Sequence, residues 1–475
     1  MMPTEVNLEE IEHEALNWKD VAIEILNKNI KGSVDYSSDI ITRDHNFKTM
    51  KDNEELWYYT NGYYIPIGEA VIKEIVQQQE PIKQLINSHF INEIINSVKR
   101  KTYIERKDFE APLHLICVKN GIYNLERNEL EEHNPDYYFK NLIPVNYIDG
   151  AVCPQINSFI ESTIENKYQE TAYEIVAFTL YRKYFIQKAI MLTGIGQNGK
   201  SVYLDILAKL FGEDNLSHEQ LQGICHSNFS SAELYGKLAN ICGDLPAVIL
   251  SDTGNFKQMT SGIDSVSAQK KFQNPFNYVN CAKLLFSANE IPETKDQTEA
   301  FFRRWLIIDF PYKFLSGLPE EAYVGFIKKE NRELLDELTT EEELEGLLFK
   351  SIGVLRNLLA RKLFTNSPTT DEIKLKYNLK SNSAMYFIES FIDDEIVTED
   401  GVEDIPVEKE FLYKDYKEFC QFKGINFKTP EAFFKGIKDR WNPETVKKTI
   451  ALGVRKNVYT GIHYECWKVK EGVLD

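Results

Sequence analysis

The segment GIGQNGKS, at residues 194–201, constrains the fold of this chain more than any other feature. It fits the phosphate-binding pattern GxxxxGK[ST]. The apolar run at 189–192 predicts a short strand before it, and apolar residues at helical spacing predict a helix after it, which Gly212 ends. A loop between a strand and a helix N-terminus can surround a triphosphate with backbone N–H groups.

The residues of this loop have distinct expected roles. Lys200 can reach the β- and γ-phosphates, and Ser201 can ligate magnesium. The sequence therefore predicts binding of ATP together with Mg²⁺. The residues expected to bind the nucleotide are Gly194, Gly196, Asn198, Gly199, Lys200 and Ser201.

Length and composition bound the remaining possibilities. A chain of 475 residues is too long for one hydrophobic core and suggests about three domains. It has no long uncharged apolar run and no signal peptide, so we expect no membrane association and a location in the cytosol of a host cell. The seven cysteines are scattered singly, without zinc-ligand spacing, and are expected to be reduced and buried.

The net charge of −18 argues against a protein that is coated in nucleic acid, because non-specific affinity comes mainly from Lys and Arg. Contact with DNA is therefore expected to be local. A few lysines that line a channel would suffice, since the field near a phosphate is set by nearby charge.

The N-terminal third divides into two parts that differ in composition and apolar pattern. Residues 1–45 are polar and acidic, with a helical stretch near 11–26, and are interpreted as a weakly anchored leader. Residues 46–150 predict an α+β domain with two hairpins, one at 56–65 around Asn-Gly and one at 115–125, and amphipathic helices between them. The hairpin aromatics could stack on bases, but the pattern is more typical of a core.

The remainder of the chain divides into four parts. A P-loop ATPase core with a helical lead-in is expected, followed by a helix-rich segment whose acidic run Glu341–Glu343 is interpreted as a solvated face. An acidic linker then leads to two helices and a strand pair that predict a winged-helix-like domain. The expected bounds are 151–315, 316–392, 393–410 and 411–475.

Two strand ends downstream of the loop carry candidate catalytic residues. A short apolar strand ends at Asp244, where a carboxylate can hold magnesium and orient the attacking water; the alternative is a turn or helix cap. A second apolar strand ends at Asn289, where an amide can hydrogen-bond the γ-phosphate or the attacking water; the alternative is a turn before Pro292. Both are predicted to belong to the nucleotide site.

The pair Arg303-Arg304 begins another predicted strand. An arginine that stabilises the transferring phosphate can come from a neighbouring subunit, which would make hydrolysis depend on assembly. At least one of the two is expected to have a structural role instead.

The order of these features resembles the superfamily 3 helicases, the ring ATPases of small viruses, phages and plasmids, and most closely the phage and plasmid primase-helicase family. The hallmarks of that family are an NGKS loop, a K-x-x-TGGD segment, a tN-x-x-P strand end and an RR pair before a strand. The matching residues here are 198–201, 257–264, 288–292 and 303–304. Residues 120–125 and 133–136 resemble its helicase-associated N-terminal domain, and 459–462 its C-terminal winged helix, so the likeness covers nearly all of 46–475.

This resemblance implies an α/β fold: an AAA+-like P-loop ATPase core with an α+β N-terminal domain and a C-terminal winged-helix domain. It implies a ring, with ATP at subunit interfaces and Arg303 or Arg304 supplied by the neighbour. It also implies that a hairpin at 265–279 projects Lys270 and Lys271 into the ring channel, where they would grip single-stranded DNA. Without the resemblance, a lysine pair is usually only a solvated surface.

The sequence departs from the family at two places. The carboxylate after the second strand is Asp244 where the family has Glu, which shortens its reach. Ser261 and Ile263 alter the TGGD segment and leave the role of Asp264 open. The chain also carries no cysteine-rich segment or carboxylate cluster of the kind that builds a primase site. Priming is therefore expected from another polypeptide, a primase or polymerase partner, or from a part of the protein outside this chain.

The sequence thus predicts an ATP-driven DNA helicase, hexameric, that serves replication of a virus, phage or plasmid. One alternative is an origin-binding or assembly scaffold that uses ATP as a switch and unwinds nothing. A small-molecule kinase is a further alternative, disfavoured because it would need a substrate lid and no DNA hairpin. The C-terminal domain could bind duplex origin DNA or a protein partner.

Overall fold

The computed structural model of the chain describes residues 16–194, 196–271, 274–319, 325–329, 331, 333–393, 397–398, 401–402, 407–441, 443–449, 455–460 and 462–470. The chain folds into two compact units. The first comprises 1–143 with 270–276, and the second comprises 144–269 with 277–475. The expected boundary at 150 falls seven residues after the end of the first unit's main segment.

The first unit combines a helical layer with two small sheets. Its sheets have the strand orders β3-β2-β1-β4, in which only β1 and β4 are parallel, and β5-β6-β7, which is antiparallel. Its helices are α1 (Trp18–Leu26), α2 (Ile30–Asp44), α3 (Gly68–Gln77) and α4 (Ser88–Lys101). Its strands are β1 (Phe47–Met50), β2 (Leu56–Thr60), β3 (Tyr63–Ile65), β4 (Tyr103–Ile104), β5 (Leu115–Val118), β6 (Gly121–Asn124) and β7 (Glu129–Glu131).

Both predicted hairpins are confirmed. In the first, Thr60 pairs with Tyr63 across Asn61 and Gly62, which both have positive φ as a tight primed turn requires. In the second, Val118 pairs with Gly121, so the turn lies one residue earlier than the Asn-Gly pair suggests. Trp57 and Tyr64 are buried, 5% and 1% exposed, and both contact the ring of Phe109. For these two rings the core interpretation is correct.

The prediction of a weakly anchored leader is wrong for the described part of residues 1–45. Helix α2 packs against α1 and α4, and buries Val34, Ile40 and Ile41 in the core of the first unit. Its sequence looked polar because small buried serines line the same face. Ser37 satisfies its hydroxyl by donating to the Ser33 carbonyl oxygen, one turn earlier. Residues 1–15 of the expected leader lie outside the described residues.

A five-stranded parallel sheet forms the centre of the second unit. Its order is β14-β8-β13-β10-β9, so β8 lies between β14 and β13. The strands are β8 (Ala189–Thr193), β9 (Leu216–Ser217), β10 (Ala239–Cys242), β13 (Lys283–Ala288) and β14 (Trp305–Asp309). Nearly every residue in them is buried, as expected for a parallel sheet that is covered on both faces. This confirms the mixed α/β class with a parallel sheet and the predicted strands before and after the loop.

Helices and short strands surround this sheet. The helices are α5 (Pro154–Thr163), α6 (Asn166–Leu180), α7 (Lys200–Phe211), α8 (Leu221–His226), α9 (Asn228–Glu233), α10 (Gly254–Met259), α11 (Glu299–Phe302), α12 (Leu334–Leu338), α13 (Glu341–Arg361) and α14 (Thr370–Ser381). The hairpin strands β11 (Ser265–Ala268) and β12 (Phe276–Val279) pair with each other, and β15 (Lys313–Leu315) pairs with β16 (Ile327–Lys329). The hairpin predicted at 265–279 is confirmed as a strand pair; residues 272 and 273 lie outside the described residues.

The C-terminal part packs three helices against short strands. The helices are α15 (Ser383–Phe391), α16 (Lys409–Phe422) and α17 (Pro430–Trp441), with a final turn α18 (Trp467–Lys470). The strands are β17 (Ile392–Asp393), β18 (Val397–Thr398), β19 (Gly401–Val402), β20 (Val407–Glu408), β21 (Glu444–Thr449), β22 (Arg455–Thr460) and β23 (His463–Tyr464). The sheet β20-β22-β21 and the three helices share one aromatic core.

Two interpretations of acidic segments are corrected by these contacts. The described residues of the expected linker at 393–410 form short paired strands up to Glu408, and Val407 and Glu408 pair with β22. Lys409 begins α16. The rest of that linker, like Gly461, lies outside the described residues. Glu343 is 6% exposed and accepts hydrogen bonds from the backbone N–H groups of Gln155 and Ile156. It caps the N-terminus of α5, so the prediction is wrong for this residue, whereas Glu341 and Glu342 are exposed as predicted.

The expected domain boundaries at 315, 392 and 410 all lie inside the second unit, and the winged-helix assignment stays a prediction. All seven cysteines are free, and five of them are buried. Among the helices in the described part of the chain, none has the length and apolarity to cross a bilayer.

Candidate functional site

The loop between β8 and α7 has the backbone shape that its glycines predict. Gly196, Gln197 and Gly199 all have positive φ, and Gly199 precedes the first residue of α7. At Gly194 the constraint is space, because an added Cβ would lie only 1.9 Å from Asn198 Nδ2. Asn198 is itself buried and donates to the Phe310 carbonyl oxygen at 3.2 Å, which fastens the loop to the chain that follows β14.

Lys200 is the first residue of α7, and its side chain folds back over the loop. Nζ donates to the Gly194 carbonyl oxygen at 2.9 Å and to the Oδ1 atoms of Asn198 and Asn289, both at 3.1 Å. Burial lowers the pKa of Lys200 to about 8, an effect that the Asp244 carboxylate opposes and Lys380 reinforces. All three N–H donors thus have neutral acceptors, which a phosphate group could replace.

Asn289 and Asp244 lie at the same edge of the sheet as the loop. Asn289 follows the last residue of β13, and its contact with Lys200 joins the two predicted site residues directly. Asp244 lies two residues after β10, is exposed, and has a φ of +48°. Its N–H donates to Ser287 Oγ at 3.3 Å, which holds this strained residue beside β13.

The donors fit a magnesium–triphosphate complex of the kind in which the metal keeps several waters. Ser201 is exposed at the first turn of α7, and Asp244 is exposed at the neighbouring strand end. The described residues contain no group of three or more His, Cys, Asp or Glu side chains that could hold a metal alone. Magnesium in phosphate-transfer sites is typically held by one or two protein oxygens, waters and the substrate phosphates, which this pair could supply.

The two arginines lie at the N-terminal ends of the parallel strands, opposite the ends that carry the phosphate loop. In the parallel register Trp305 pairs with Ala189 and Asp309 with Thr193, so the start of β14 and the loop after β8 are separated by the length of the strands. Arg304 is 7% exposed, and its Nη1 donates to the Ala300 carbonyl oxygen at 2.6 Å. Arg303 is exposed.

Asp264, whose role the altered TGGD segment left open, belongs to this opposite end of the strands. Burial lowers the pKa of Arg304, and the neighbouring charge of Asp264 opposes that shift. The backbone N–H of Asp264 is held by Ser261 Oγ at 2.8 Å. The structure therefore connects the altered segment with the arginine pair and separates it from the phosphate loop.

The two lysines proposed to contact DNA differ in their surroundings. Lys270 Nζ forms an ion pair with Glu55 Oε1 at 2.7 Å, within the first unit. Lys271 is exposed. The structure thus shows a protein carboxylate that already binds Lys270.

Sequence reasoning missed three charged residues beside the loop. Asp309, the last residue of β14, bridges Lys376 at 2.9 Å and Lys380 at 2.8 Å, and also accepts a hydrogen bond from the Thr193 hydroxyl. Burial alone would raise the pKa of Asp309, but these partners hold it below its usual range. The available signal was the position of Asp309 at a strand's carboxyl end; nothing in the sequence brings α14 to that edge.

Two family models match separate parts of the chain. Residues 27–165 match the family described as "D5 N terminal like", and residues 192–304 match a family of unknown function, DUF5906. The second match begins in β8 and ends at the arginine pair, so it contains every predicted site residue.

Two curated viral proteins are similar to this chain. "Putative helicase L207/L206" of Acanthamoeba polyphaga mimivirus is 24% identical over 280 residues, which are 54% of this chain and 29% of that protein. "Putative helicase 121R" of Invertebrate iridescent virus 3 is 23% identical over 312 residues, 59% of this chain and 32% of that protein. The chain thus spans about a third of the length of the curated relatives it matches.

These two family matches and the viral relatives support the likeness to phage and viral primase-helicases that the sequence motifs predict. Solved structures of the NrS-1 C-terminal region are also similar. One covers 88% of this chain and 97% of that chain at 13% identity with a TM-score of 0.43, and another covers 89% and 97% with a TM-score of 0.44.

Proposed function

We propose that this chain is the motor part of a replicative DNA helicase of a virus, phage or plasmid, which hydrolyses ATP in a ring of identical subunits. The observation that carries the proposal is the hydrogen bond from Lys200, at the end of the phosphate loop, to Asn289, at the end of β13. It joins a phosphate-binding cation to an amide that could orient a water, at the sheet edge where both strands end.

ATP, when bound with Mg²⁺, would supply the phosphoryl group whose transfer to water drives the motor. Lys200 would exchange its neutral acceptors for phosphate oxygens and hold the developing charge. Asn289, released from Lys200, would present its amide to a water or to phosphate. Ser201 and Asp244 would hold the metal, and Asp244 could also orient the attacking water.

The position of the arginines supports a site that is shared between subunits. Strand β14 is five residues long, and at about 3.3 Å per residue its two ends lie roughly 13 Å apart. Arg303 therefore cannot reach the phosphate loop of its own chain, whereas an exposed side chain at a subunit edge can enter the site of a neighbour. A heterologous interface of this kind closes into a ring.

DNA contact is proposed for Lys270 and Lys271 in the segment that joins β11 to β12. The net charge of −18 makes a localised basic contact necessary, and lysine suits a grip that ignores base sequence. In this proposal DNA phosphate would compete with Glu55 for Lys270. The names of the viral relatives are consistent with a helicase, and the likeness to primase-helicases is consistent with a primase or polymerase partner.

ATP hydrolysis measured with and without single-stranded DNA, alongside strand displacement on a forked duplex, tests the proposal. The Lys200→Ala protein, purified in the same way, is the control for contaminating ATPases. DNA-stimulated hydrolysis with displacement is the expected result. Hydrolysis without displacement would instead support an ATP-switched origin-binding or assembly scaffold, and absence of ATP binding would refute both.

A further inference from the structure

A pocket opens beside the phosphate loop, and most of its lining comes from outside the predicted nucleotide site. Gly194 and Asn289 line it from the sheet edge, and Lys380 lines it from α14. The Lys380 backbone also holds this edge, because its carbonyl oxygen accepts the Ile291 N–H at 3.3 Å, two residues after Asn289. The end of α14 is therefore anchored next to the strand that carries Asn289.

The charges in this region do not balance. Asp309 provides one carboxylate, and the ammonium groups of Lys376 and Lys380 both bind it. One positive charge in this cluster is therefore left over, close enough to Lys200 that Lys380 contributes to lowering the Lys200 pKa. An arrangement that holds like charges together favours the arrival of an anion.

The two lysines have different tasks. Lys376 Nζ has a second acceptor, the Ile307 carbonyl oxygen at 2.9 Å, and this ties it to the backbone of β14. Within the described part of the chain, Lys380 Nζ is paired with Asp309 Oδ1 alone. An ammonium group has three donors, so two on Lys380 remain for a ligand.

We propose that Lys380 is a second phosphate-binding lysine of the nucleotide site, delivered by α14 and aimed by Asp309. Asp309 accepts a hydrogen bond from Thr193, the residue that precedes Gly194. The position of the Lys380 ammonium group therefore depends on the position of the loop. Nucleotide binding would thereby draw α14 towards the loop and couple the C-terminal helices to the state of the site. This inference rests on the proposed ATP binding at Lys200.

The test compares nucleotide affinity of the full chain in three variants. Lys380→Met removes the charge and keeps the apolar stem. Lys376→Met is the matched control, since it lies one turn earlier on the same helix and loses a bond to the same carboxylate. Lys380→Arg restores a cation. Binding of Mg–ATP and Mg–ADP is measured by displacement of a fluorescent ATP analogue, and thermal unfolding is followed with and without Mg–ATP.

Loss of one charge-assisted contact predicts about a tenfold to hundredfold weaker ATP affinity in Lys380→Met. Lys376→Met should stay within about threefold of the unaltered chain, and Lys380→Arg should recover most of the loss. Equal weakening in both Met variants would overturn the proposal, because it would assign the effect to the packing around Asp309. Unaltered affinity in Lys380→Met would overturn it as well, while leaving ATP binding at Lys200 intact.

A chain that fails to bind ATP before any substitution would refute the proposed function together with this inference. Thermal unfolding shows whether weaker binding in Lys380→Met reflects a lost nucleotide contact or a damaged fold. If Lys380→Met unfolds at the same temperature as the unaltered chain without nucleotide, but gains less stabilisation from Mg–ATP, the missing contact is with the nucleotide.

Discussion

Substituting the two adjacent arginines should affect different properties: Arg303 the turnover of ATP, and Arg304 the stability of the fold. Arg303 is exposed, so Arg303→Ala should change the free energy of unfolding by no more than about 0.5 kcal/mol. As a residue that stabilises the transferring phosphate from a neighbouring subunit, its loss should lower turnover by roughly 10³-fold and leave nucleotide affinity nearly unchanged. Urea unfolding, nucleotide binding and steady-state ATP hydrolysis measure these three quantities.

Arg304→Ala should instead act on stability. Its side chain is 7% exposed and donates to the Ala300 carbonyl oxygen within α11, so truncation removes a buried stem and a hydrogen bond. We expect a loss of about 2–4 kcal/mol in the free energy of unfolding. Any loss of turnover in Arg304→Ala should follow the loss of folded protein.

Mixing subunits tests whether Arg303 acts across an interface. Arg303→Ala protein keeps an intact Lys200, and Lys200→Ala protein keeps an intact Arg303. Random mixing at equal amounts brings an intact Lys200 against an intact Arg303 at about one interface in four, so roughly a quarter of the original turnover should return. No recovery, or normal turnover in Arg303→Ala alone, would refute the shared site.

Four further predictions concern the phosphate loop, the titration of Lys200, the hairpin lysines and the ion pair of Lys270. Lys200→Ala should abolish ATP hydrolysis and keep a cooperative unfolding transition, and full activity in that variant would remove the basis for the nucleotide site. Because burial lowers the pKa of Lys200 to about 8 and phosphate favours its charged form, ATP affinity should be constant below pH 7 and fall as pH rises through 8; a flat affinity from pH 7 to 9.5 would contradict this. Changing both Lys270 and Lys271 to Ala should leave basal hydrolysis unaltered, abolish DNA stimulation and unwinding, and lower the slope of log affinity against log salt by about 0.7 per lost contact. Glu55→Gln, which frees Lys270 from its ion pair, should strengthen DNA binding, and an unchanged affinity there would remove Lys270 from the interface.

Short-range chemistry made the nucleotide loop predictable from sequence. The strand before it and the helix after it both follow from local apolar patterns, and the positive φ angles of Gly196 and Gly199 follow from the residue type. The positions of Asp244 and Asn289 follow from a topological rule, since parallel strands end at one edge of a sheet. The first-unit hairpin around Asn61 is local for the same reason.

Long-range packing decided the rest. Helix α2 looked like a solvated segment because its buried face is lined by serines, whose hydroxyls are satisfied within the helix. Glu343 looked like part of a solvated acidic run, and only the position of α5 buries it.

The sequence by itself therefore determined which residues form the phosphate loop and the strand ends beside it. The tertiary structure decided that Arg304 is buried while Arg303 is exposed, and that Lys380 is brought by α14 to Asp309 and the loop. The physical reason is the range of the interactions. Backbone conformation and apolar periodicity are set by neighbours a few residues apart, whereas burial and ion pairing depend on segments that are about 70 residues or more apart in the chain.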